Sequence, residues 1–220
     1  MQIVILCGGL GTRLRPLTNK VPKVMIPFWN KPFLEYVRRV FSSQGFHNFI
    51  LCVGYLGEQI EEYYGQNMVY SYDGKTPLGT GGVVKKAKPI LDDEFILING
   101  DTYLKIDYHD LISDFHKSKK LAMMLVYTKR KKRNDVLVKG KEIVRYDKKM
   151  RKGVNAVWTG VLITKKELLN LMPKKESFSL EEEVFPKLIK MKQLAAHVTK
   201  NKFYPIGRPE QIKEFIKYFS

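Results

Sequence analysis

Three glycines, Gly8, Gly9 and Gly11, follow a short apolar run from Ile3 to Leu6. Arg13 and Arg15 come at once after them, and Lys23 follows Val21-Pro22. Glycines let backbone N–H groups come close to phosphate oxygens, and the cations offset the charge that phosphates bring. A loop of this kind at the C-terminal end of a strand suits a nucleoside triphosphate. A lone Gly-x-Gly would read as a turn with incidental glycines; the company of Thr12-Arg13 and Pro22-Lys23 weighs against that. Two familiar phosphate loops are excluded by spacing. No Gly-Lys-Ser/Thr follows as a P-loop requires, and Arg13-Leu14 stand where the dinucleotide fingerprint has its third glycine. Asp101 follows another apolar run that ends at Asn99-Gly100. A carboxylate there is placed to hold Mg²⁺ on phosphate oxygens, while Asn-Gly-Asp is also a turn-forming sequence. In Pro77-Leu78-Gly79-Thr80-Gly81-Gly82, backbone amides and carbonyls can read a base edge, and Thr80 can equally cap the helix that follows.

The elements that would position these groups alternate. Strands are predicted over Ile3–Cys7, Phe49–Val53, Met68–Tyr72 and Phe95–Asn99, with helices over Pro32–Gln44, Leu56–Tyr64 and Gly79–Ala87. The later half reads as strands over Leu121–Thr128, Asp135–Val138, Glu142–Tyr146 and Val157–Thr164, then helices over Lys165–Leu171, Glu181–Met191 and Pro209–Phe219. This rhythm predicts an α/β fold: a Rossmann-like, mostly parallel mixed sheet flanked by helices on both faces. Ligands in such sheets lie beyond the C-terminal ends of the strands, where the Gly8 loop, Tyr55 and Asp101 all fall. No repeat, low-complexity stretch or linker interrupts the chain. One domain is expected over residues 1–220, with a nucleotide-binding half over about 1–115 and a sugar-binding half over about 116–220.

The run from Gly8 to Thr18, with Val21-Pro22-Lys23 behind it, resembles the signature of sugar-1-phosphate nucleotidyltransferases. The resemblance continues in order through Asn30 to Tyr36, Pro77 to Gly82, Asn99-Gly100-Asp101 and Ile206 to Glu210, and leans toward short members of the mannose-, heptose- and muramate-1-phosphate type. It implies the nucleotide-diphospho-sugar transferase type of fold. It also implies a reaction in which a sugar phosphate oxygen attacks the α-phosphorus of an NTP and pyrophosphate leaves. Both reactants are anions, so such a site must neutralise charge and align the attack; the protein needs no covalent step. On this reading Arg13 clamps the β- and γ-phosphates through its guanidinium fork. Lys23 sits near the α-phosphate and the incoming sugar phosphate, and Asp101 holds Mg²⁺. Leu6, Gly8, Gly9, Gly11, Thr12, Arg13, Pro77, Gly79, Thr80 and Gly100 are the expected nucleotide contacts. Asp147, Lys148, Gly160 and Glu181 are the expected sugar contacts, against the simpler readings of a solvated Lys148 and a helix-opening Glu181. GTP with a mannose- or heptose-type 1-phosphate is favoured, and a UTP-dependent uridylyltransferase is the alternative.

One departure matters. Family members carry an acid two residues before the glycine that precedes the last helix, commonly a second Mg²⁺ ligand; here Pro205 stands there, in Pro205-Ile206-Gly207. Asp101 with substrate oxygens and water can suffice, another acid such as Asp147 or Asp107 can substitute, or the chain is a weakened homologue that binds a nucleotide or sugar nucleotide.

The chain's 220 residues allow one sizeable core, and no apolar run approaches a membrane span. The N-terminus reads directly into a strand, so no secretory leader is expected. Cys7 and Cys52 lie in apolar contexts that suit buried free thiols in a reducing compartment, so a cytoplasmic location is expected. Lys and Arg number 39 against 22 Asp and Glu, a formal net charge of +17. Such charge suits nucleic acid, an anionic surface or phosphorylated substrates. Much of it lies between Lys117 and Lys152, including Lys129 to Arg133. No stacking aromatics interleave with that run, so it reads as solvated rather than as a nucleic-acid surface. The expected partners are an NTP and a sugar 1-phosphate; a homo-oligomer is left open.

Overall fold

Nine strands build the central sheet: β1 (Gln2–Leu6), β2 (Phe49–Val53), β3 (Val69–Tyr72), β4 (Glu94–Asn99), β5 (Ala122–Tyr127), β6 (Val136–Lys139), β7 (Glu142–Tyr146), β8 (Val157–Lys165) and β9 (Leu194–Thr199). The structure is a computed structural model that describes residues 1–74, 76–128, 134–149 and 153–220; the basic run from Lys129 to Arg133 lies outside the described residues. Strand order is β3-β2-β1-β4-β8-β5-β9-β7-β6. The first four are parallel. β8 runs against both β4 and β5, β9 lies parallel to β5, and β7 runs against β9 and β6. Seven strands therefore share one direction and only β8 and β7 oppose it.

Among the described residues, seven α-helices cover the sheet: α1 (Phe33–Ser42), α2 (Gly57–Tyr64), α3 (Gly79–Lys86), α4 (Tyr108–Ser118), α5 (Leu180–Glu183), α6 (Phe185–Lys190) and α7 (Pro209–Phe219). The period of two along each strand divides the apolar residues between two cores. Ile3, Ile5, Ile96 and Ile98 face one core, which α1, α4 and α7 close with Phe33, Phe41, Leu111, Phe115 and Phe215. Val4, Phe95 and Leu97 face the other, closed by Val83 and Val84 of α3 and by Leu180, Phe185 and Leu188. Cys7 and Cys52 are buried free thiols in opposite cores.

Several expected elements differ in detail. The helix expected over Glu181–Met191 is two short helices that meet at Val184, with Pro186 in the first turn of the second. Lys166–Leu171 is a 3-10 helix. α4 and β9 were not anticipated. No helix among the described residues is long and apolar enough to cross a membrane.

The connectivity places the site. From β1 the chain moves outward to β2 and β3, then returns to the far side of β1 as β4. Loops leaving β1 and β4 must diverge at that reversal and leave a crevice beyond the strand ends. Leu6 is in register with Asn99, so the glycine loop and Asp101 leave the sheet side by side.

Candidate active site

The two loops are tied at their root: the Gly100 N–H donates to the Leu6 carbonyl at 2.9 Å. Beyond it the glycine loop turns at Gly11, which has φ +61°. A Cβ there would meet Thr18 Cγ2 at 2.9 Å, and the Thr18 hydroxyl donates to the Gly11 carbonyl at 2.9 Å. Gly11→Ala is therefore expected to lose at least ~1–2 kcal/mol of stability, the ordinary cost of a left-handed L-residue, and to raise the KM for nucleotide. Denaturant unfolding and initial-rate kinetics check the two effects. Gly11 leads into a one-turn 3-10 helix, Thr12–Leu14. Arg13 on it is exposed and takes part in none of the ion pairs found among the described residues. Its guanidinium is thus available to an anion.

Lys23 and Asp101, 78 residues apart, form an ion pair of 2.5 Å between Nζ and Oδ2. Both are largely but not fully covered, at 19% and 23% side-chain exposure. A cavity of about 300 Å³ opens beside them and reaches along Leu6, Gly8, Gly9 and Asn99 to Pro77, Gly79, Thr80 and Asp73. Cys7 also lines it, but burial pushes its thiol well above the usual range, with Cys52 and then Asp101 adding to the effect. It is a wall group and not a nucleophile.

The segment carrying Pro205 is held against Asp101. Tyr204–Pro205 pairs antiparallel with Thr102–Tyr103, and the Ile206 N–H donates to the Asp101 carbonyl at 2.9 Å. A Cβ on Gly207 would lie 3.4 Å from Gln211 Oε1 and 3.7 Å from Asp101 Oδ2. Gln211, on the first turns of α7, thus holds its amide oxygen close to Gly207.

The family model for nucleotidyl transferases matches residues 2–218. The chain belongs to the nucleotidyl transferase family. Among its relatives, the D-glycero-alpha-D-manno-heptose 1-phosphate guanylyltransferase of Campylobacter jejuni is 33% identical over 222 residues, covering 98% of this chain and 99% of that protein. The mannose-1-phosphate guanyltransferase of Saccharomyces cerevisiae is 31% identical over 227 residues, covering 96% of this chain and 62% of that protein. The crystal structure of HddC from Yersinia pseudotuberculosis complexed with GMP-PN matches with a TM-score of 0.85 and 29% identity, over 100% of this chain and 99% of that one. The resemblance to sugar-1-phosphate nucleotidyltransferases and the expected sheet are both borne out.

Within this nucleotidyl transferase the expected residues separate into two groups. Leu6, Gly8, Gly9, Lys23, Pro77, Gly79, Thr80 and Asp101 line one cavity, while Gly100 supports it from behind. The expected sugar residues are more dispersed. Gly160, at φ +86°, lies where β8 breaks register, against the Asn99 side chain at the cavity rim. Asp147 is buried, its N–H donating to the Asp135 carbonyl at 2.6 Å, and Lys148 reaches out to Glu182 at 2.9 Å in an exposed pair. Neither lines the cavity.

Thr80 does not cap its own helix, whose N-cap is Leu78. Its hydroxyl donates to Glu181 Oε2 at 2.6 Å and accepts from the Leu180 N–H at 3.0 Å, so it fastens α3 to α5. Glu181 Oε2 also accepts from the Ser179 hydroxyl at 2.5 Å. Thr80→Val strands the Leu180 N–H and takes from Glu181 Oε2 one of its two donors, and is expected to cost ~1–3 kcal/mol. A thermal midpoint some degrees lower, in the absence of nucleotide, is the expected result.

Two polar groups of the cavity wall, Asn99 and Asp73, were not among the expected contacts. Asp73 follows directly on β3 just as Asp101 follows closely on β4, and an acid at a strand's C-terminal end was the available signal. Its carboxyl is buried, Oδ1 has no hydrogen-bond partner among the described residues, and burial pushes its pKa up to about 6 against the opposing pull of Lys86 and the Leu78 N–H.

Proposed function

We propose that this chain transfers a guanylyl group from GTP to a mannose- or heptose-type sugar 1-phosphate, forming a GDP-sugar and pyrophosphate. The observation that carries the proposal is the Lys23–Asp101 pair at the switch-point cavity, beside a glycine loop followed by the exposed Arg13. The named activities of the relatives in Campylobacter jejuni and Saccharomyces cerevisiae support the choice of substrates. The sugar phosphate oxygen forms a bond to the α-phosphorus, the bond to the bridging oxygen of the β-phosphate breaks, and that oxygen keeps the electron pair as pyrophosphate departs. Arg13 draws the β- and γ-phosphates into line, and Lys23 offsets the repulsion between the two anions as they close. Gly8 and Gly9 line the cavity, where their loop N–H groups serve as donors to the triphosphate. On this reading β1 to β4 serve the nucleotide, and the sugar lies toward β8, where Gly160 meets Asn99.

The donors beside Asp101 fit Mg²⁺. No cluster of three His, Cys, Asp or Glu stands ready among the described residues, which suits an ion that keeps several waters and shares one or two protein oxygens with substrate phosphates. Asp101 would hold it. When bound, such an ion neutralises phosphate charge in the transition state.

A weakened nucleotide-binding homologue is the second reading, favoured by Pro205 alone. Pyrophosphate release decides between them, with each of four NTPs tested against a panel of sugar 1-phosphates in Mg²⁺. Release with GTP and a manno-configured 1-phosphate is expected. Tight GTP binding without release from any pair would establish the second reading instead.

A further inference from the structure

Lysines gather at the end of the sheet opposite the catalytic cavity. They come from three turns of one pattern: Lys117-Ser118-Lys119-Lys120, Lys139-Gly140-Lys141-Glu142 and Lys190-Met191-Lys192-Gln193. The first turn ends α4 and leads into β5, the second joins β6 to β7, and the third ends α6 and leads into β9. Hydrogen bonds bring the three together. Lys120 Nζ donates to Glu142 Oε1 at 2.9 Å and to the Lys192 carbonyl at 2.8 Å, so one side chain joins all three turns. The Ala196 N–H donates to the Lys141 carbonyl at 2.8 Å, and the Ala122 N–H to the Gln193 carbonyl at 3.1 Å. We propose that this corner is a docking face for a membrane surface rich in anionic phospholipid.

Glu142 is the one acid in the three turns, and Lys120 already neutralises it. Lys117, Lys119, Lys139, Lys141, Lys190 and Lys192 are exposed, and none of them forms an ion pair among the described residues. Like charges held together repel, so gathering them works against the fold. Backbone geometry adds to that. Lys119 and Lys192 both have φ +54°, the left-handed conformation in which helices commonly end on glycine. A side chain is strained there, yet both positions carry lysine. Helix C-terminal ends favour cations, which accounts for lysines after α4 and α6. It does not account for Lys139 and Lys141, which stand at a hairpin.

The side chains favour lipid over nucleic acid. The three turns hold no arginine and no aromatic ring, the groups that grip phosphates in fixed geometry and stack on bases. Phospholipid headgroups move in the plane of the bilayer. Lysine, a point charge on a flexible stem, follows them without a fixed geometry, and clustered lysines are drawn to anionic leaflets. Met191 stands between Lys190 and Lys192 and is 50% exposed. Its unbranched side chain can enter the headgroup layer while the flanking lysine stems keep their ammonium groups at the phosphates. The cavity, beyond the other ends of the strands, then faces away from the bilayer and stays open to its substrates.

Co-sedimentation with vesicles of phosphatidylglycerol and phosphatidylcholine in equal parts, against vesicles of phosphatidylcholine alone, tests the assignment. Wild-type protein is expected to bind the anionic vesicles and not the neutral ones, and to be released as added NaCl screens the surface charge. Replacing Lys119, Lys141, Lys190 and Lys192 together by Gln is expected to weaken binding about 10²-fold or more. Any chain of net charge +17 is drawn to an anionic surface. The control therefore replaces Lys88, Lys174, Lys213 and Lys217 by Gln, removing the same charge from exposed positions elsewhere. It is expected to stay within about 3-fold of wild type, because charges away from the contact are screened. Melting curves verify that both variants are folded. Binding is read without turnover, so failure of the transferase reading would leave this inference standing. Equal losses in the two variants would overturn it, and so would wild-type protein that ignores anionic vesicles at low salt. Wild-type protein that holds single-stranded RNA in salt that strips it from the vesicles would overturn it in favour of a nucleic-acid face.

Discussion

Asp101→Asn is expected to lower kcat/KM for pyrophosphate release about 10³-fold, which corresponds to ~4 kcal/mol of transition-state stabilisation. Asn has the shape of Asp and keeps one oxygen, so the loss isolates the charge. The structure gives a reason to expect so much from one group. Among the described residues no cluster of three candidate ligands exists, and Pro205 stands where a second acid was expected. Stability should change little, by less than ~1 kcal/mol, because the Lys23 partner left behind is part-exposed and water can reach it. The checks are steady-state release across a Mg²⁺ titration and a melting curve. A variant within 10-fold of wild type at saturating Mg²⁺ would show that the ion is held elsewhere.

The parallel half of the sheet was legible in the sequence for a plain physical reason. β1, β2 and β4 are buried on both faces, so each is a continuous apolar run bounded by polar or glycine residues. Local signals of that kind do not depend on distant partners. β9 lacked one. Its Leu194-Ala195-Ala196-His197 start contains good helix formers, and what makes it a strand is pairing along β5 from Leu194 to Thr199. α4 is different, since its signals were present: Asp107 accepts from the N–H groups of His109 and Asp110, and Tyr108, Leu111 and Phe115 fall at helical spacing.

The site divides in the same way. The glycine loop, Pro22-Lys23 and Gly100-Asp101 are contiguous motifs, and strand-end logic converges them on one crevice. Contacts between distant residues had no such trace. Thr80 and Glu181 are 101 residues apart, and their shared hydrogen bond shows that Thr80 serves the α3–α5 junction as well as the cavity wall. Asp73 was passed over because it is a single acid between a strand and a glycine, with nothing adjacent to mark it. Its unsatisfied oxygen is a property of packing alone.

Lys23 carries the last expected effect, and its two consequences have opposite signs. In the substrate-free chain its ammonium neutralises Asp101 at 2.5 Å. On the proposed reading, the sugar phosphate and the α-phosphate bring denser negative charge to the same place when both substrates are present. The ammonium needs only to swing on its flexible stem to serve them, and Gly9, having no side chain, leaves the way open. Lys23→Ala should therefore lower kcat about 10²–10³-fold through lost transition-state stabilisation. Removing the cation also leaves Asp101 without its competitor, so the affinity for a divalent ion in the absence of nucleotide should rise several-fold. Mn²⁺ binding followed by electron paramagnetic resonance reads the second effect without turnover. Arginine in its place should recover part of the rate only, because a planar fork cannot follow the short path of an ammonium beside Gly11, whose added Cβ would already lie 3.3 Å from Lys23 Cβ. A weaker ion affinity in Lys23→Ala would mean that Lys23 orders Asp101 for the metal rather than competing with it.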